Sequence, residues 1–398
     1  MRRSGKKERL LSLDALRGFT IIGMIIVNSP GSWSHVYPPL LHAPWHGMTL
    51  TDLVFPFFLF IMGISIALAY GRLDLSERQK AAAYRKIVIR GVKIFAVGLF
   101  LNLWPSFDLS EIRVAGVLQR IAIVFAVCAI LFLLVSWKAQ LSIGVGILLA
   151  YWGVMAWVPV PLDAVNELAL ESGYIERSYG QQVEVSVSAR GEAYLRPNYE
   201  PGANVAAWVD RRLLPGRFWE RTWDPEGLFT TLPAIGTGIF GLLVGALVLR
   251  IGDAYRRVSW LYLVGFAAVG LGTIWSWSFP LNKNLWSSSF VLVSGGWSAV
   301  CFASCVLLID ICGYKRWAKM GLVFGANPIV AYALSGMLLS VFYTGYGEFA
   351  GLNAWFMDAA LELGLAGKLA SLFYALFYVG IIYLPVRYLW GRGILIKL

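Results

Sequence analysis

Only three histidines occur in the 398 residues, His35, His42 and His46, all inside the stretch NSPGSWSHVYPPLLHAPWHGMTLTDLVFPFFLF. Histidine is the side chain most easily poised for proton transfer near neutral pH. Asn28 lies just before this cluster and Asp52 just after it, with Pro and Gly bending the chain between them. If His42, Asn28 and Asp52 converge, they supply a general base or transient acetyl carrier, a carboxylate that fixes its tautomer, and an amide that donates to the imidazole or to developing negative charge. The same stretch also reads as an interfacial loop in which Trp33, Tyr37 and Trp45 mark headgroup depth. His42 and His46, four apart and followed by Asp52, resemble metal-ligand spacing. Pro44 disfavours helix at Ala43, however, and neither an HExxH glutamate nor a second cluster occurs, so no metal is expected.

Further polar residues stand within or beside apolar runs. Asp14 and Arg17 sit one turn apart in SLDALRGF, either as an intrahelical ion pair or as part of an anionic-cofactor site. Arg120 falls two turns into an apolar run, where a guanidinium needs a partner or a cavity. Lys93 can snorkel to a rim, and with Arg17 and Arg120 it completes the candidate cofactor-phosphate ligands. PLNKNLWSSS sets Asn282, Lys283, Asn284 and Trp286 between two apolar runs, as candidate substrate contacts. Trp45 and Trp286 read as sugar platforms or as interface anchors. DPEG (224–227) reads as a turn and helix cap. GANPIVAY breaks a helix at Asn327–Pro328, which would expose carbonyls to a cavity.

The elements that must carry these residues follow from composition. Hydrophobic residues make up 58% and charged ones 14%, with mean hydropathy +0.66. A soluble chain carries about 25% charged residues, so this composition excludes a disordered chain, a disulfide scaffold and an ordinary soluble enzyme. Apolar runs at about 11–29, 52–70, 87–104, 114–135, 141–159, 228–250, 258–279, 288–312, 320–342 and 366–388 predict about ten transmembrane helices, an all-α polytopic fold. Strands would leave backbone groups unpaired in lipid, and no alternating barrel pattern appears. The net charge of +11 fits Lys- and Arg-rich cytoplasmic loops rather than nucleic-acid binding. With both termini cytoplasmic, the inner segments hold 21 Lys and Arg and the short outer loops almost none.

The chain therefore reads as a single membrane domain, residues 1–398, with a large extracytoplasmic loop at 160–227 between spans five and six. That loop carries seven Arg against eleven acidic residues. The basic start is expected to be an uncleaved first span, since Asp14 and Arg17 interrupt its apolar run and no small-residue cleavage site follows. Cys128, Cys301, Cys305 and Cys312 all sit in apolar runs and read as small buried hydrophobes. No Asn-x-Ser/Thr sequon occurs in an outer loop, which favours a bacterial cytoplasmic (inner) membrane.

SLDALRG…VN…LHAPWHGMTLTDLVFPFFLFIMG resembles the heparan-α-glucosaminide N-acetyltransferase family and its bacterial relatives. GVLQR, DPEGL, PLNKNLW and GANPI follow in the same order, so the resemblance runs from span one to span nine. It implies a transmembrane acetyltransferase that takes acetyl-CoA from the cytoplasmic side and acetylates a terminal glucosamine on the far side. His42 then corresponds to the catalytic histidine and Asn28 to its active-site asparagine. Asp52 is assigned to the tautomer by proximity alone. The chain is expected to have no lumenal domain before the basic tail, and its 160–227 loop looks unlike the family's, so the acceptor is expected to extend to a free amino sugar or an envelope glycan. The residues leave open an O-acetyltransferase of a glycan, and a transporter or flippase for an amino sugar. No inverted repeat is evident to support the latter. A homodimer is compatible with such a chain.

Overall fold

The computed structural model describes residues 10–71, 73, 76–171, 183–187, 191–344 and 351–396. The basic N-terminal tail and part of the 160–227 loop fall outside these residues. The architecture is helical: α1 Leu11–Asn28, α2 Leu50–Tyr70, α3 Glu77–Leu103, α4 Val117–Leu134 and α5 Trp137–Trp157. After the loop come α8 Thr231–Arg250, α9 Ala254–Trp275, α10 Ser288–Cys305, α11 Lys319–Ala326, α12 Pro328–Tyr343, α13 Leu352–Glu362 and α14 Gly367–Gly391. A π-helical turn, Val306–Ile311, extends α10. The loop itself holds α6 Ala164–Glu171, α7 Val205–Leu213, and three short antiparallel strands, β1 Val160–Pro161, β2 Val185–Val187 and β3 Ala193–Leu195, in the order β1-β3-β2.

Among the described residues, eight helices are long and apolar enough to span a membrane, and a ninth span arises if α11 and α12 count as one. The chain is an all-α polytopic membrane protein. Two of the ten expected spans take a different form. The 87–104 run is helical but belongs to α3, which begins ten residues earlier, at Glu77; every 18-residue stretch of α3 carries at least three charged side chains. The 320–342 run is split at Asn327, where α11 and α12 meet at 84°. The broken helix at Asn327–Pro328 is as the sequence predicts. The Asn327 amide, however, ties down the chain after α14: its Nδ2 donates to the Ile394 carbonyl at 2.9 Å, and its Oδ1 accepts from the Ile396 N–H at 2.8 Å.

Small residues bring the helices together, as expected where lipid offers no hydrophobic drive for association. A Cβ on Gly18 of α1 would lie 1.8 Å from the Gly321 carbonyl of α11, and one on Gly241 of α8 would lie 2.2 Å from the Phe60 carbonyl of α2. Backbones in contact at these points fix α2 against α8, and α8 and α10 are the most enclosed spans. The connections after α1, α3, α5 and α9 gather on one face of the bundle. Trp45 donates to the Tyr199 carbonyl at 2.8 Å, Gly47 N–H to the Leu281 carbonyl at 2.7 Å, and Arg113 pairs with Asp224. The 160–227 loop packs there over Trp45, Tyr151, Met155 and Phe279.

Candidate active site

The first turn of α2 builds the centre. Thr49 caps the helix and Asp52 sits three residues on, so each side chain takes the other's backbone N–H in a capping box. That fixes the carboxylate at a helix N-terminus, where the helix dipole favours an anion. One oxygen, Oδ2, accepts the Thr49 N–H at 2.9 Å and the Ala43 N–H at 3.1 Å. The other, Oδ1, lies 2.6 Å from His42 Nδ1. With its second oxygen filled by backbone donors, Asp52 receives Nδ1–H, and the lone pair of His42 is left on Nε2. The dyad is open on one side only: the His42 side chain is 48% exposed and that of Asp52 1%.

The 280–287 turn supplies the opposite wall. The Asn282 Oδ1 accepts from Leu285 N–H at 2.8 Å, and its backbone carbonyl accepts from Ser287 N–H at 3.0 Å. Trp286 adopts the left-handed φ of 50°, a strained position for a bulky residue. Its indole N–H donates to Thr237 at 3.0 Å, and Phe55 and Phe290 pack edge-on against its ring. This turn aims Lys283 at the histidine, with Nζ 3.2 Å from Nε2 and 3.3 Å from Nδ1. Burial pushes the Lys283 ammonium pKa down, against the pull of Glu226 and Asp52.

A second charged cluster stands beside the first. Arg113 grips Asp224 through Nε at 2.7 Å and Nη2 at 2.6 Å, and Nη2 also reaches Glu226 at 2.5 Å. Burial works against the Arg113 charge, but Asp224 and Glu226 outweigh it and raise its pKa. Arg120 is buried. Its Nη2 bonds to the Gly227 carbonyl at 3.0 Å and to the Thr230 hydroxyl, and its guanidinium lies 5.1 Å from the Trp286 ring centre. Its Nε and Nη1 have no hydrogen-bond partner among the described residues.

The sequence-derived candidates divide accordingly. His42, Asp52 and Lys283 are brought into direct contact, and Asn282 comes close to His46, its Nδ2 lying 3.4 Å from His46 Nδ1. Asn28 is exposed as the last residue of α1, at the same end of the bundle, and makes no side-chain hydrogen bond among the described residues. Trp45 and Trp286 are both buried, Trp45 against Trp223 at 4.9 Å, so neither ring lies open as a platform. Arg17 pairs with Asp14 at 3.0 Å and donates to Ser65 at 2.8 Å, while Lys93 is exposed on α3. The three candidate phosphate ligands, Arg17, Lys93 and Arg120, lie on three different helices, α1, α3 and α4. Asn284 is half-buried beside Lys283. In sequence, DPEG reads only as a turn and helix cap. The signal that could have paired it is two carboxylates in four residues and two arginines, Arg113 just before α4 and Arg120 inside it, a charge balance that calls for pairing.

A carboxylate-held imidazole at the open end of a helical bundle, faced by an amine, is an arrangement for moving a proton to or from an incoming nucleophile. Residues 9–170, which include both members of the dyad, match the family model described as heparan-alpha-glucosaminide N-acetyltransferase, catalytic. The resemblance read from the motifs is real. Over 379 residues, 83% of this chain, it is 28% identical to the human protein named heparan-alpha-glucosaminide N-acetyltransferase, and over 385 residues 26% identical to the mouse protein of the same name. The alignments cover 53% and 54% of those proteins, so the chain spans about half the length of the curated relatives it matches.

Proposed function

We propose that this chain is a transmembrane acetyltransferase that moves the acetyl group of cytoplasmic acetyl-CoA to an amino sugar, glucosamine or a glucosamine-ended glycan, on the extracytoplasmic side. The observation that carries this reading is the His42–Asp52 pair at 2.6 Å, in which a half-exposed imidazole keeps its lone pair on Nε2. In the proposed reaction His42 takes the proton of the acceptor amine as nitrogen attacks the thioester carbon, and the same proton then reaches the leaving thiolate. Asp52 holds the tautomer and stabilises the transient imidazolium. Asn28, with its amide uncommitted at the same end, is assigned to the carbonyl oxygen as charge builds on it.

Arg120 is given the role of binding a substrate oxygen. An unpaired buried donor costs about 1–3 kcal/mol, and its Nε and Nη1 are two such donors beside the site. Arg17 and Lys93 are retained as candidate contacts for the CoA phosphates nearer the opposite face. Residues 282–286 form the acceptor-side wall, with Trp45 and Trp286 as its supports. The membrane portion acts as one domain, covered on the extracytoplasmic side by the 160–227 loop, in a bacterial cytoplasmic membrane. The decisive experiment is His42→Ala in purified protein with labelled acetyl-CoA and glucosamine. Acetyl transfer should disappear while acetyl-CoA binding and the unfolding temperature persist; normal turnover by this variant refutes the assignment.

A further inference from the structure

The amine on His42 has a consequence of its own. Lys283 Nζ lies over the face of the His42 ring, 3.2 Å from Nε2 and 3.3 Å from Nδ1, and Nε2 carries the lone pair because Nδ1–H is committed to Asp52. A primary amine on a flexible carbon chain thus rests against the imidazole, one side-chain rotation away from the in-plane Nε2 lone pair at which a general base deprotonates a primary-amine acceptor. The turn around it is rigid: Asn282 binds both Leu285 and Ser287, and Trp286 N–H donates to the Lys283 carbonyl at 3.0 Å. Glu226 and Asp52 lie close enough to act on its charge, so a departing ammonium has an anion to move toward. Burial lowers the lysine pKa and enlarges the neutral, nucleophilic fraction.

We propose that Lys283 is a modification site: it fills the acceptor's place against His42 and, when acetyl-CoA is present without an acceptor, takes the acetyl group itself. This rests on the reading of His42 as the base for an amine acceptor. The Nζ lone pair attacks the thioester carbonyl, the C–N bond forms, and the C–S bond breaks. The proton lost from Nζ passes through His42 Nε2 to the CoA thiolate, giving Nε-acetyl-lysine and free CoA. The amide product has no basic lone pair and no charge, so it cannot be moved aside toward Glu226. Acetylation therefore closes the site, and the acceptor amine protects the enzyme by displacing Lys283 first.

The test uses the full-length protein in detergent or proteoliposomes, incubated with acetyl-CoA with and without glucosamine and read by peptide mass spectrometry. Without glucosamine, Lys283 should gain an acetyl group about a hundredfold faster than Lys138 or Lys368, the scale of a positioned general base, and transfer activity should fall in proportion. Glucosamine should suppress the modification, and His42→Gln, which keeps side-chain bulk, should reduce it to the rate of the other lysines. If glucosamine is acetylated while Lys283 stays at the rate of the other lysines, this proposal is overturned and the acetyltransferase reading stands. If Lys283 is acetylated but glucosamine is not, the proposal stands and the acceptor assignment falls. If neither is acetylated, the assignment of His42 as an acetyl-transfer base falls, and the proposal with it.

Discussion

Replacing Asp52 by Asn tests the dyad more sharply than removing either partner. The two backbone donors on Oδ2, Thr49 N–H at 2.9 Å and Ala43 N–H at 3.1 Å, need an oxygen, so the amide oxygen of Asn must take that side. The amide NH2 then faces His42 Nδ1, where the carboxylate oxygen stood at 2.6 Å. An N–H directed at Nδ1 makes that nitrogen an acceptor, so the ring hydrogen moves to Nε2 and the base loses its lone pair. A tautomer reversal of this kind lowers kcat by roughly 10⁴, about 5 kcal/mol of transition-state stabilisation. The fold keeps these hydrogen bonds and loses only their charge assistance, including that of the helix N-terminus, about 1–2 kcal/mol, so the variant remains folded. Initial rates of glucosamine acetylation, measured as labelled product at saturating acetyl-CoA from neutral to alkaline pH, give the comparison. The loss should persist as pH rises, because the defect is a misplaced proton rather than an excess one. Recovery of the rate at high pH, or a loss smaller than about tenfold at every pH, refutes the assigned tautomer.

Arg113→Met should lower stability by about 3–5 kcal/mol, since it strands the fully buried Asp224 carboxylate without its cation; the unfolding temperature of the solubilised protein measures it. Asp210 in α7 is buried, which raises its carboxyl from 3.8 to about 6. The folded state thus holds a proton that the unfolded chain releases first, so its contribution is full below pH 4 and is lost as pH rises to about 6. Asp210→Asn should flatten this dependence and stabilise the protein at neutral pH by up to about 3 kcal/mol; an unchanged slope of unfolding temperature against pH contradicts it. Side assignment is tested with an impermeant maleimide on intact cells in a Cys312→Ser background. Trp219→Cys in the large loop should label and Tyr255→Cys, at the opposite face, should not, with the reverse pattern inverting the topology.

Apolar length made the helical spans readable, because a lipid environment allows little else. The exceptions have local causes. Lys86, Arg90 and Lys93 lie in the first two-thirds of α3, so its hydropathy blurs where the helix begins. The break at Asn327 was visible as Asn-Pro, but its anchoring partners, Ile394 and Ile396, lie nearly seventy residues away and no local pattern points to them. The β1–β3 sheet was invisible, since two- and three-residue strands carry no period.

The site divides along the same line between local and distant information. His42 and Asp52 are ten residues apart, and the Thr-x-x-Asp capping pattern fixes one end of their contact, so sequence alone could pair them. Trp45 and Trp286 were misplaced for the opposite reason: an indole at a membrane interface and one in a core are the same letter. Only the fold shows that Trp45 donates to Tyr199 and that Trp286 lies against Arg120. The charged residues were legible as problems rather than as solutions. Arg120 demanded a partner, and DPEG offered carboxylates about a hundred residues later. The structure answers this unevenly, giving Glu226 and Asp224 to Arg113 and leaving Arg120 with two donors unmatched among the described residues. On the proposed function, the two Arg120 donors without a partner among the described residues are the ones assigned to a substrate oxygen. An oxygen-rich acceptor or a thioester carbonyl has the matching chemistry.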